Sequence, residues 1–340
     1  MKSIFNETLE KLESYFINNS DKKFRASQVF EWLYKKRVTS FDEMSNLKKE
    51  VIEKLKEDFE LFDISIENIQ SDEEVNKLLF KTSDSNYVEA VLMHHDYGKS
   101  ICISTQVGCN MGCKFCESGR LKKVRNLTTA EMLEQILLTE KELNVNITRV
   151  VLMGIGEPFD NYDNVIDLIN IMNHHKALEI GSRHITLSTC GVIPKIKEFS
   201  KLPYQVNLAI SLHAPNDEIR NKIMPINKVY PLKELMKSIK EYIAITNRRV
   251  TFEYIMLKDI NDNEDCAKEL SKLLFGINCY VNIIPYNETN NIDFKKSNLI
   301  TINRFYDILK KNNIAVTIRR EFGNKISAAC GQLRSEKETR

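Results

Sequence analysis

The feature that most constrains this chain is a regular alternation of short β-type runs and helical stretches between residues 100 and 320. Seven β-type runs are present: SICIST (100–105), TRVVLMG (148–154), HITLSTC (184–190), QVNLAISLH (205–213), RVTFEYIML (249–257), CYVNIIPY (279–286) and AVTIRR (315–320). Apolar residues between them have helical spacing, as in TTAEMLEQILLTEKEL (128–143), where Thr128 or Thr129 is a natural N-cap. Strands that alternate with helices are expected to pair in parallel, because each helix provides the long crossover connection that a parallel pair requires.

Six repeated βα units predict an α/β fold with an open or partial (β/α)6 barrel, since a complete eight-unit barrel needs a longer chain. Functional residues of such folds lie at the carboxyl ends of the strands. Residues 1–95 differ, because helical patterns there are followed by a β-hairpin, KLLFKT and YVEAVLMHH, around SDSN. We expect a helical N-terminal accessory domain with a short β extension (1–95), the barrel (96–320) and a C-terminal segment (321–340).

Composition and apolar patterning argue against a secreted or a membrane-spanning protein. Of the 340 residues, 42% are hydrophobic, and 49 Lys and Arg against 47 Asp and Glu give a net charge of +2. Global charge therefore indicates no partner, and local clusters must be considered. The N-terminus lacks the apolar centre of a signal peptide, and the apolar runs are too short to span a membrane. We expect a soluble, cytoplasmic protein with no membrane partner.

Three of the eight cysteines, Cys109, Cys113 and Cys116, lie together in QVGCNMGCKFCESG (106–119). Clustered thiols in a cytosolic protein are usually metal ligands or catalysts. Structural zinc is one alternative, with its fourth ligand from Cys102, Cys190 or a histidine. A [4Fe-4S] cluster fits better, because glycines let a loop wrap around the inorganic core. Three thiolates on four irons leave one iron open to bind a further ligand.

The C-x3-C-x2-C spacing after a first strand resembles the signature of radical S-adenosylmethionine (SAM) enzymes. In that superfamily SAM chelates the open iron and is cleaved by one electron to a 5′-deoxyadenosyl radical. Nearly the whole chain resembles the RlmN/Cfr family of radical SAM RNA methyltransferases. The blocks that carry this resemblance are FRASQVFEWLYKKRVTSFDEMSNL, CISTQVGCNMGCKFC, RNLT, GIGEPFDNYDNV, STCGVIPKI, SLHAPNDEIRNKIMPIN, YIMLKDINDNEDCAKEL and FGNKISAACGQL.

The resemblance implies roles for residues that would otherwise be interpreted as ordinary loop or core residues. The implied cluster ligands are Cys109, Cys113 and Cys116. The implied SAM contacts are Gly156, Glu157, Ser188, Ser211, Leu212, His213 and Asn287. The implied catalytic residues are Cys330 as the methyl carrier, Cys102 as its disulfide partner and Glu89 as the proton acceptor. The remaining cysteines, Cys190, Cys266 and Cys279, we assign to packing.

The chemistry of the implied substrate explains why thiols are needed. The C2 carbon of adenine is not a nucleophile, whereas a thiolate readily accepts a methyl group. The resemblance implies that Cys330 is methylated by a first SAM and activated by a radical from a second. The resulting protein–RNA crosslink then loses the ring proton to Glu89, and disulfide formation with Cys102 releases the methylated RNA.

Two basic segments are candidates for contact with RNA, namely 22–37 and RLKKVR (120–125). The aromatic residues of the first segment fit the core face of a helix equally well. One departure from the family pattern is Glu117, where a small residue is usual, and Lys122 and Lys123 also differ. Glu117 either acts near the cluster or is a variation on the surface, which leaves target specificity open.

We expect methylation of C2 of an adenine in 23S rRNA, with tRNA as a further substrate and an external electron donor such as flavodoxin or ferredoxin. Cfr-type methylation at C8 of the same adenine requires the same catalytic residues and is the closest alternative. A non-catalytic, metal-containing RNA-binding protein is a second alternative. A radical SAM enzyme for a small molecule or peptide is a third, against which the Cys102 and Cys330 pair argues.

Overall fold

The computed structural model describes residues 1–320, 328 and 331–333. Its strands are β1 (Lys2–Ser3), β2 (Phe59–Glu60), β3 (Ile64–Ser71), β4 (Val75–Thr82), β5 (Tyr87–His95), β6 (Gly98–Cys102), β7 (Gln106–Val107), β8 (Arg125–Asn126), β9 (Ile147–Leu152), β10 (Ile185–Thr189), β11 (Asn207–Ser211), β12 (Val250–Met256), β13 (Cys279–Pro285) and β14 (Val316–Ile318). Ten of these described strands form one sheet in the order β14-β13-β12-β11-β10-β9-β6-β5-β4-β3. Most of the described strands therefore belong to this single sheet.

The α-helices connect and cover the strands. They are α1 (Leu9–Asn18), α2 (Phe24–Glu31), α3 (Lys49–Asp58), α4 (Thr129–Leu143), α5 (Tyr162–Asn173), α6 (Ile193–Phe199), α7 (Asp217–Ile223), α8 (Leu232–Thr246), α9 (Glu264–Leu274) and α10 (Leu299–Lys311). The helix α2 continues as a π-helical turn, Trp32–Lys36. Helices α1, α2 and α3 lie in the N-terminal region where the sequence has helical patterns.

Local sequence determines where these helices begin. Thr128 is the N-cap of α4: its hydroxyl accepts from the backbone N–H of Glu131, and the Glu131 carboxylate accepts from the N–H of Thr128. This reciprocal pair satisfies two N–H groups that have no partner inside the helix. Asn263 caps α9 in a similar way by accepting from the N–H of Cys266 at 2.8 Å. The predicted N-cap at Thr128 is confirmed.

The parallel part of the sheet confirms the predicted barrel. Strand β6 pairs in parallel with β9, and β9 to β14 follow in parallel order. Each of the six crossovers between these described strands contains at least one helix, from α4 after β6 to α10 before β14. The carboxyl ends of all these strands consequently lie at one edge of the sheet.

Three antiparallel strands extend the barrel sheet beyond β6. The predicted hairpin is formed by β4 and β5, and β5 pairs with β6 from Val91↔Cys102 to His95↔Gly98. The outermost strand, β3, was not expected, because polar residues interrupt its apolar pattern. The extension and the barrel therefore share one hydrogen-bonded sheet, and the expected boundary near residue 95 lies at the turn between β5 and β6.

The main hydrophobic core is continuous from the N-terminal helices to the barrel. Phe5, Leu133 and Phe252, each at most 1% exposed, belong to the same cluster of contacting side chains. No helix in the described ranges is both long and apolar enough to cross a lipid bilayer.

Candidate functional site

The three clustered cysteines lie on a compact loop between β7 and β8, which we call the cysteine loop (residues 108–121). The backbone N–H of Cys109 donates to the carbonyl of Leu121 at 3.1 Å, and that of Cys116 donates to the carbonyl of Cys113 at 3.2 Å. A Cβ at position 119 would lie 2.5 Å from the carbonyl oxygen of Cys113, so only glycine permits this close return of the chain.

All three thiols line one cavity at the carboxyl ends of the parallel strands, which we call the thiol cavity. It encloses about 870 Å³ of empty space, part of which is open to solvent. The predicted SAM-contact residues that line it are Gly156, Glu157, Ser188, Ser211 and His213. Eight of the predicted site residues, three thiols and five SAM contacts, thus lie around a single cavity.

Glu157 is held in the wall of the thiol cavity by backbone groups. Its carboxylate accepts from the N–H of Cys190 at 2.8 Å and from that of Phe159 at 3.0 Å. Burial raises the pKa of Glu157, and these hydrogen bonds act in the opposite direction. The preceding residue, Gly156, has φ of +112°, and a Cβ there would lie 2.7 Å from the Cβ of Gln106. The arrangement suits a carboxylate that accepts from an ammonium group in the cavity.

Hydroxyl and imidazole groups from neighbouring strands form the opposite part of the cavity wall. The hydroxyls of Ser188 and Ser211 lie 3.5 Å apart. The Nδ1 atom of His213 accepts from the backbone N–H of Ile255 at 3.0 Å. Burial, together with the charge of Arg220, lowers the pKa of His213 to about 3. The imidazole is therefore neutral and its hydrogen is on Nε2, which makes Nε2 a donor.

Arg220 is a buried residue that the sequence analysis did not select, although it lies within the SLHAPNDEIRNKIMPIN block. Its side chain is 0% exposed and donates to the carbonyl oxygens of Leu212, Ser211 and Cys190, at 3.1, 3.2 and 2.7 Å. It also donates to the side chain of Asn227 at 2.9 Å. Arg220 thus holds the ends of β10 and β11 together behind the cavity. No local sequence pattern distinguishes such an arginine from a surface arginine on a helix.

Two predicted SAM contacts do not line the thiol cavity. Leu212 is 0% exposed and its side chain belongs to the main core. Asn287 follows β13 and is 8% exposed. The lining of the cavity does not bear on their predicted role in SAM binding. The backbone of Leu212 nevertheless lies between Ser211 and His213, which both line the cavity.

The chemistry of the three thiols fits a metal cluster. Burial raises the pKa of the Cys109 thiol to about 12 and that of Cys113 well above its ordinary value. Thiols in this setting stay protonated unless a cation binds, and metal coordination supplies that cation. No group of three His, Cys, Asp or Glu side chains in the described chain is arranged around one metal ion. An iron–sulfur cluster does not require such convergence, because each thiolate binds a different iron.

Cys102 and Glu89 lie on one face of the antiparallel strands. Cys102 is directly opposite Val91, which shares a face with Glu89 because it lies two residues along β5. Cys102 belongs to a small apolar cluster that includes Ala328 and Leu333 of the C-terminal segment, and Met153 packs against this cluster and also lines the thiol cavity. The third predicted catalytic residue, Cys330, lies outside the described residues.

Glu117 is buried and touches the C-terminal segment, which excludes a variation on the surface. It is 4% exposed, and its backbone N–H donates to the carbonyl of Gly331 at 2.9 Å. Its carboxylate accepts from Asn291 at 3.3 Å. The neighbouring Ser118 hydroxyl donates to the carbonyl of Leu333 at 2.9 Å. The cysteine loop therefore binds the backbone of residues 331 and 333.

The two basic segments that the sequence suggests are largely engaged within the fold. In 120–125, Lys123 forms an ion pair with Asp160 at 2.7 Å, and Arg125 pairs with Asp84 and Glu131. In 22–37, the aromatic side chains of Phe30 and Tyr34 are each 1% exposed. Their rings contact each other at 4.6 Å. Phe30 and Tyr34 of segment 22–37 thus belong to the core face of a helix, whereas Phe24 is 50% exposed.

A second opening of the barrel is strongly basic. We call it the basic mouth and define it by Arg149, Arg183, Arg248 and Arg249, which lie near the amino ends of the parallel strands. It belongs to a cavity with about 2150 Å³ of empty space, partly open to solvent. Glu253 is the only carboxylate among the described residues that line it. Glu253, Met153 and Arg319 line both this cavity and the thiol cavity, so the two spaces adjoin.

Comparison with protein families agrees with this geometry. The radical SAM superfamily matches residues 103–270, which contain the cysteine loop and most of the barrel. The ribosomal RNA large subunit methyltransferase N-terminal domain matches residues 3–61. These two matches cover separate parts of the same chain.

Relatives match the chain over its whole length. A "Probable dual-specificity RNA methyltransferase RlmN" of Acholeplasma laidlawii is 50% identical over 335 residues, covering 98% of this chain and 99% of that protein. A protein of the same name from Listeria welshimeri is 51% identical, covering 98% and 94%. The crystal structure of a radical SAM methyltransferase from Sphaerobacter thermophilus has a TM-score of 0.94 and 38% identity, covering 99% and 100%. The chain belongs to the RlmN family of radical SAM RNA methyltransferases.

Proposed function

We propose that this protein methylates C2 of an adenine in 23S rRNA, and an adenine in tRNA as a second substrate. One observation carries the proposal: the three thiols, Glu157 and His213 surround one cavity that adjoins the face bearing Cys102 and Glu89. The name of its relatives, dual-specificity RNA methyltransferase, supports a substrate range of two RNA classes.

The cofactors proposed for the thiol cavity are a [4Fe-4S] cluster on Cys109, Cys113 and Cys116, and SAM. Gly156, Glu157, Ser188, Ser211, Leu212, His213 and Asn287 are the proposed SAM contacts. Bound together, the cluster and SAM supply a transferable methyl group and a hydrogen-abstracting radical, at two SAM per turnover. An external protein such as flavodoxin or ferredoxin is the proposed electron donor.

The protein's own residues then carry the methyl group and the protons. The Cys330 thiolate accepts the methyl group, and the methylene carbon that remains after removal of one hydrogen atom forms a bond to the adenine ring. This addition leaves an unpaired electron on the ring, which the cluster would have to accept. Glu89 takes the ring proton from the resulting crosslink. The Cys102 thiolate attacks the sulfur of Cys330, so that a disulfide forms while the bond between that sulfur and the RNA-bound carbon breaks. The carbon keeps the electron pair of that bond and takes a proton to become the methyl group. A thiol reductant restores both cysteines.

The substrate is proposed to approach through the basic mouth. Four arginines at one opening can neutralise phosphates, and Met153, Glu253 and Arg319 line both this cavity and the thiol cavity. The adenine has to leave its stack to enter, as bases do in other enzymes that modify them. The three-part division at residues 95 and 320 and a cytoplasmic location belong to the same proposal.

The C8 alternative is distinguished by the product and not by the site, because both activities require the same residues. C2 is favoured because relatives about 50% identical over the whole chain are named RlmN. Anaerobic reconstitution with iron, sulfide, SAM, reductant and a 23S fragment, followed by nucleoside mass spectrometry, gives the answer. We expect 2-methyladenosine, and 8-methyladenosine would overturn the C2 assignment.

The same experiment tests the proposed cysteine roles. Cys330→Ala is expected to abolish product, and Cys102→Ala to accumulate a covalent protein–RNA adduct. Cys279→Ala is the matched control, since Cys279 lies on β13 in the main core. Iron retained after loss of Cys109, Cys113 and Cys116 together, or product from the Cys330 variant, would contradict the proposal.

A further inference from the structure

A buried ion pair joins the proposed proton acceptor to a neighbouring strand. The ammonium nitrogen of Lys77 lies 3.2 Å from Oε1 of Glu89, and the two side chains are 3% and 0% exposed. Lys77 is directly opposite Val91, and Glu89 is directly opposite Leu79, so the pair is diagonal across β4 and β5. Both residues therefore lie on the face that carries Cys102.

Apolar side chains surround the Lys77–Glu89 ion pair, and this burial affects the ionisation of Glu89. Val75, Val91, Met93 and Cys102 on the same face form an apolar cluster. A carboxylate buried beside apolar groups favours its neutral form, because it loses the hydration that stabilises its charge. A neutral carboxylic acid cannot accept a proton. The nearby ammonium group of Lys77 opposes this effect and favours the ionised carboxylate.

We propose that Lys77 is a positioning residue that keeps Glu89 ionised and holds its carboxylate at this face, ready to accept the ring proton. This inference rests on the proposed function for the role of Glu89. In the step itself, the C–H bond of the crosslinked ring breaks, its proton moves to the Glu89 carboxylate, and its electron pair stays on the ring. Lys77 acts only through its contact with the Glu89 carboxylate and does not itself accept the ring proton.

A purely structural role makes a different prediction. If Lys77 only joined β4 to β5, its loss would lower stability and reduce every step of the reaction together. If it maintains the base, methylation of Cys330 and cleavage of SAM proceed, and the reaction stops at the crosslink. The distinguishing quantity is the ratio of protein–RNA adduct to methylated product.

Lys77→Met, Lys77→Arg and the matched control Lys81→Met are compared in anaerobic single-turnover reactions of the reconstituted full-length protein. Lys81 lies four residues further along the same strand and is partly exposed. For Lys77→Met we expect wild-type release of 5′-deoxyadenosine, accumulation of the adduct on denaturing gels and about ten-fold less methylated adenine. Lys77→Arg, which keeps the charge, is expected to restore product, and Lys81→Met to behave as wild type.

Infrared spectroscopy tests the ionisation of Glu89 without turnover. At neutral pH, Lys77→Met is expected to show the carbonyl stretch of a protonated carboxylic acid, and the added substitution Glu89→Gln should remove it. The band is read from the difference between the spectra of Lys77→Met and wild-type protein, because other buried carboxyl groups, such as Glu134 with its pKa raised to about 8, contribute equally to both. If the proposed function is wrong but the inference about Lys77 is right, wild-type protein makes no methyladenine and the infrared difference between Lys77→Met and wild type is still observed. Absence of the band from Lys77→Met, or an unchanged ratio of adduct to product, would overturn the inference.

Discussion

The phenyl ring of Phe115 packs edge-on against the imidazole of His213, with ring centres 4.9 Å apart and an interplanar angle of 79°. Phe115 lies between two of the clustered thiols, and His213 follows β11. This contact attaches the cysteine loop to the carboxyl edge of the barrel. It is one reason why a loop with three thiols lies against the parallel strands rather than in solvent.

Removal of this ring should loosen the cysteine loop. Phe115 is 6% exposed, so Phe115→Ala is expected to cost about 3 kcal/mol of stability and to speed the loss of iron from reconstituted protein. The release of iron to a chelator under anaerobic conditions is the measurement. Phe275→Ala, at a side chain that is 84% exposed, is the control and should release iron at the wild-type rate. Equal rates for both variants would contradict a role for this contact.

A methyl group at position 156 should damage the thiol cavity. Gly156→Ala places a Cβ 2.7 Å from Gln106 at a φ of +112°, a strain of about 1–3 kcal/mol. We expect a lower thermal midpoint and weaker SAM binding in equilibrium dialysis. Gly181→Ala has nothing within 4 Å of the added Cβ and should match wild type in both measurements. Wild-type SAM affinity in the Gly156 variant would show that this glycine does not shape the site.

Loss of Arg220 should destabilise the whole protein. Arg220→Met leaves the buried acceptors of Leu212, Ser211 and Cys190 without this donor, and we expect a loss of about 3–5 kcal/mol. Urea unfolding of the purified full-length chain measures the effect. Arg304→Met is the control, because that side chain is 68% exposed and its ion pair with Glu264 is long, at 3.9 Å. A change below about 1 kcal/mol for the Arg220 variant would exclude this structural role.

The basic mouth should contribute to RNA affinity through phosphate contacts. Arg183 and Arg249 are both exposed at this opening. The double variant Arg183→Gln/Arg249→Gln is expected to weaken binding of a 23S fragment and to reduce the slope of log K against log salt by about 2. Fluorescence anisotropy across a salt series gives both values.

A charge-matched control separates this effect from net charge. Lys268 and Lys272 are exposed residues of α9, which lies between β12 and β13. Lys268→Gln/Lys272→Gln removes the same charge and should leave the slope unchanged. An equal fall in slope for both double variants would indicate that only total charge matters.

The sequence by itself determined the features that depend on neighbouring residues. The alternation of β-type and helical runs predicted parallel βα units, because apolar spacing is a local property. The N-cap at Thr128 and the close spacing of Cys109, Cys113 and Cys116 are local in the same sense. The blocks shared with the RlmN/Cfr family added the candidate SAM contacts, of which five line the thiol cavity.

Only the tertiary structure decided which distant residues meet. The pairing of Lys77 with Glu89 depends on the register of β4 against β5, and the four arginines of the basic mouth come from the amino ends of three strands, β9, β10 and β12. The same holds for the charges of 120–125, which pair with Asp84, Glu131 and Asp160. The physical reason is that charge and burial act through space, whereas the sequence records only which residues are neighbours along the chain.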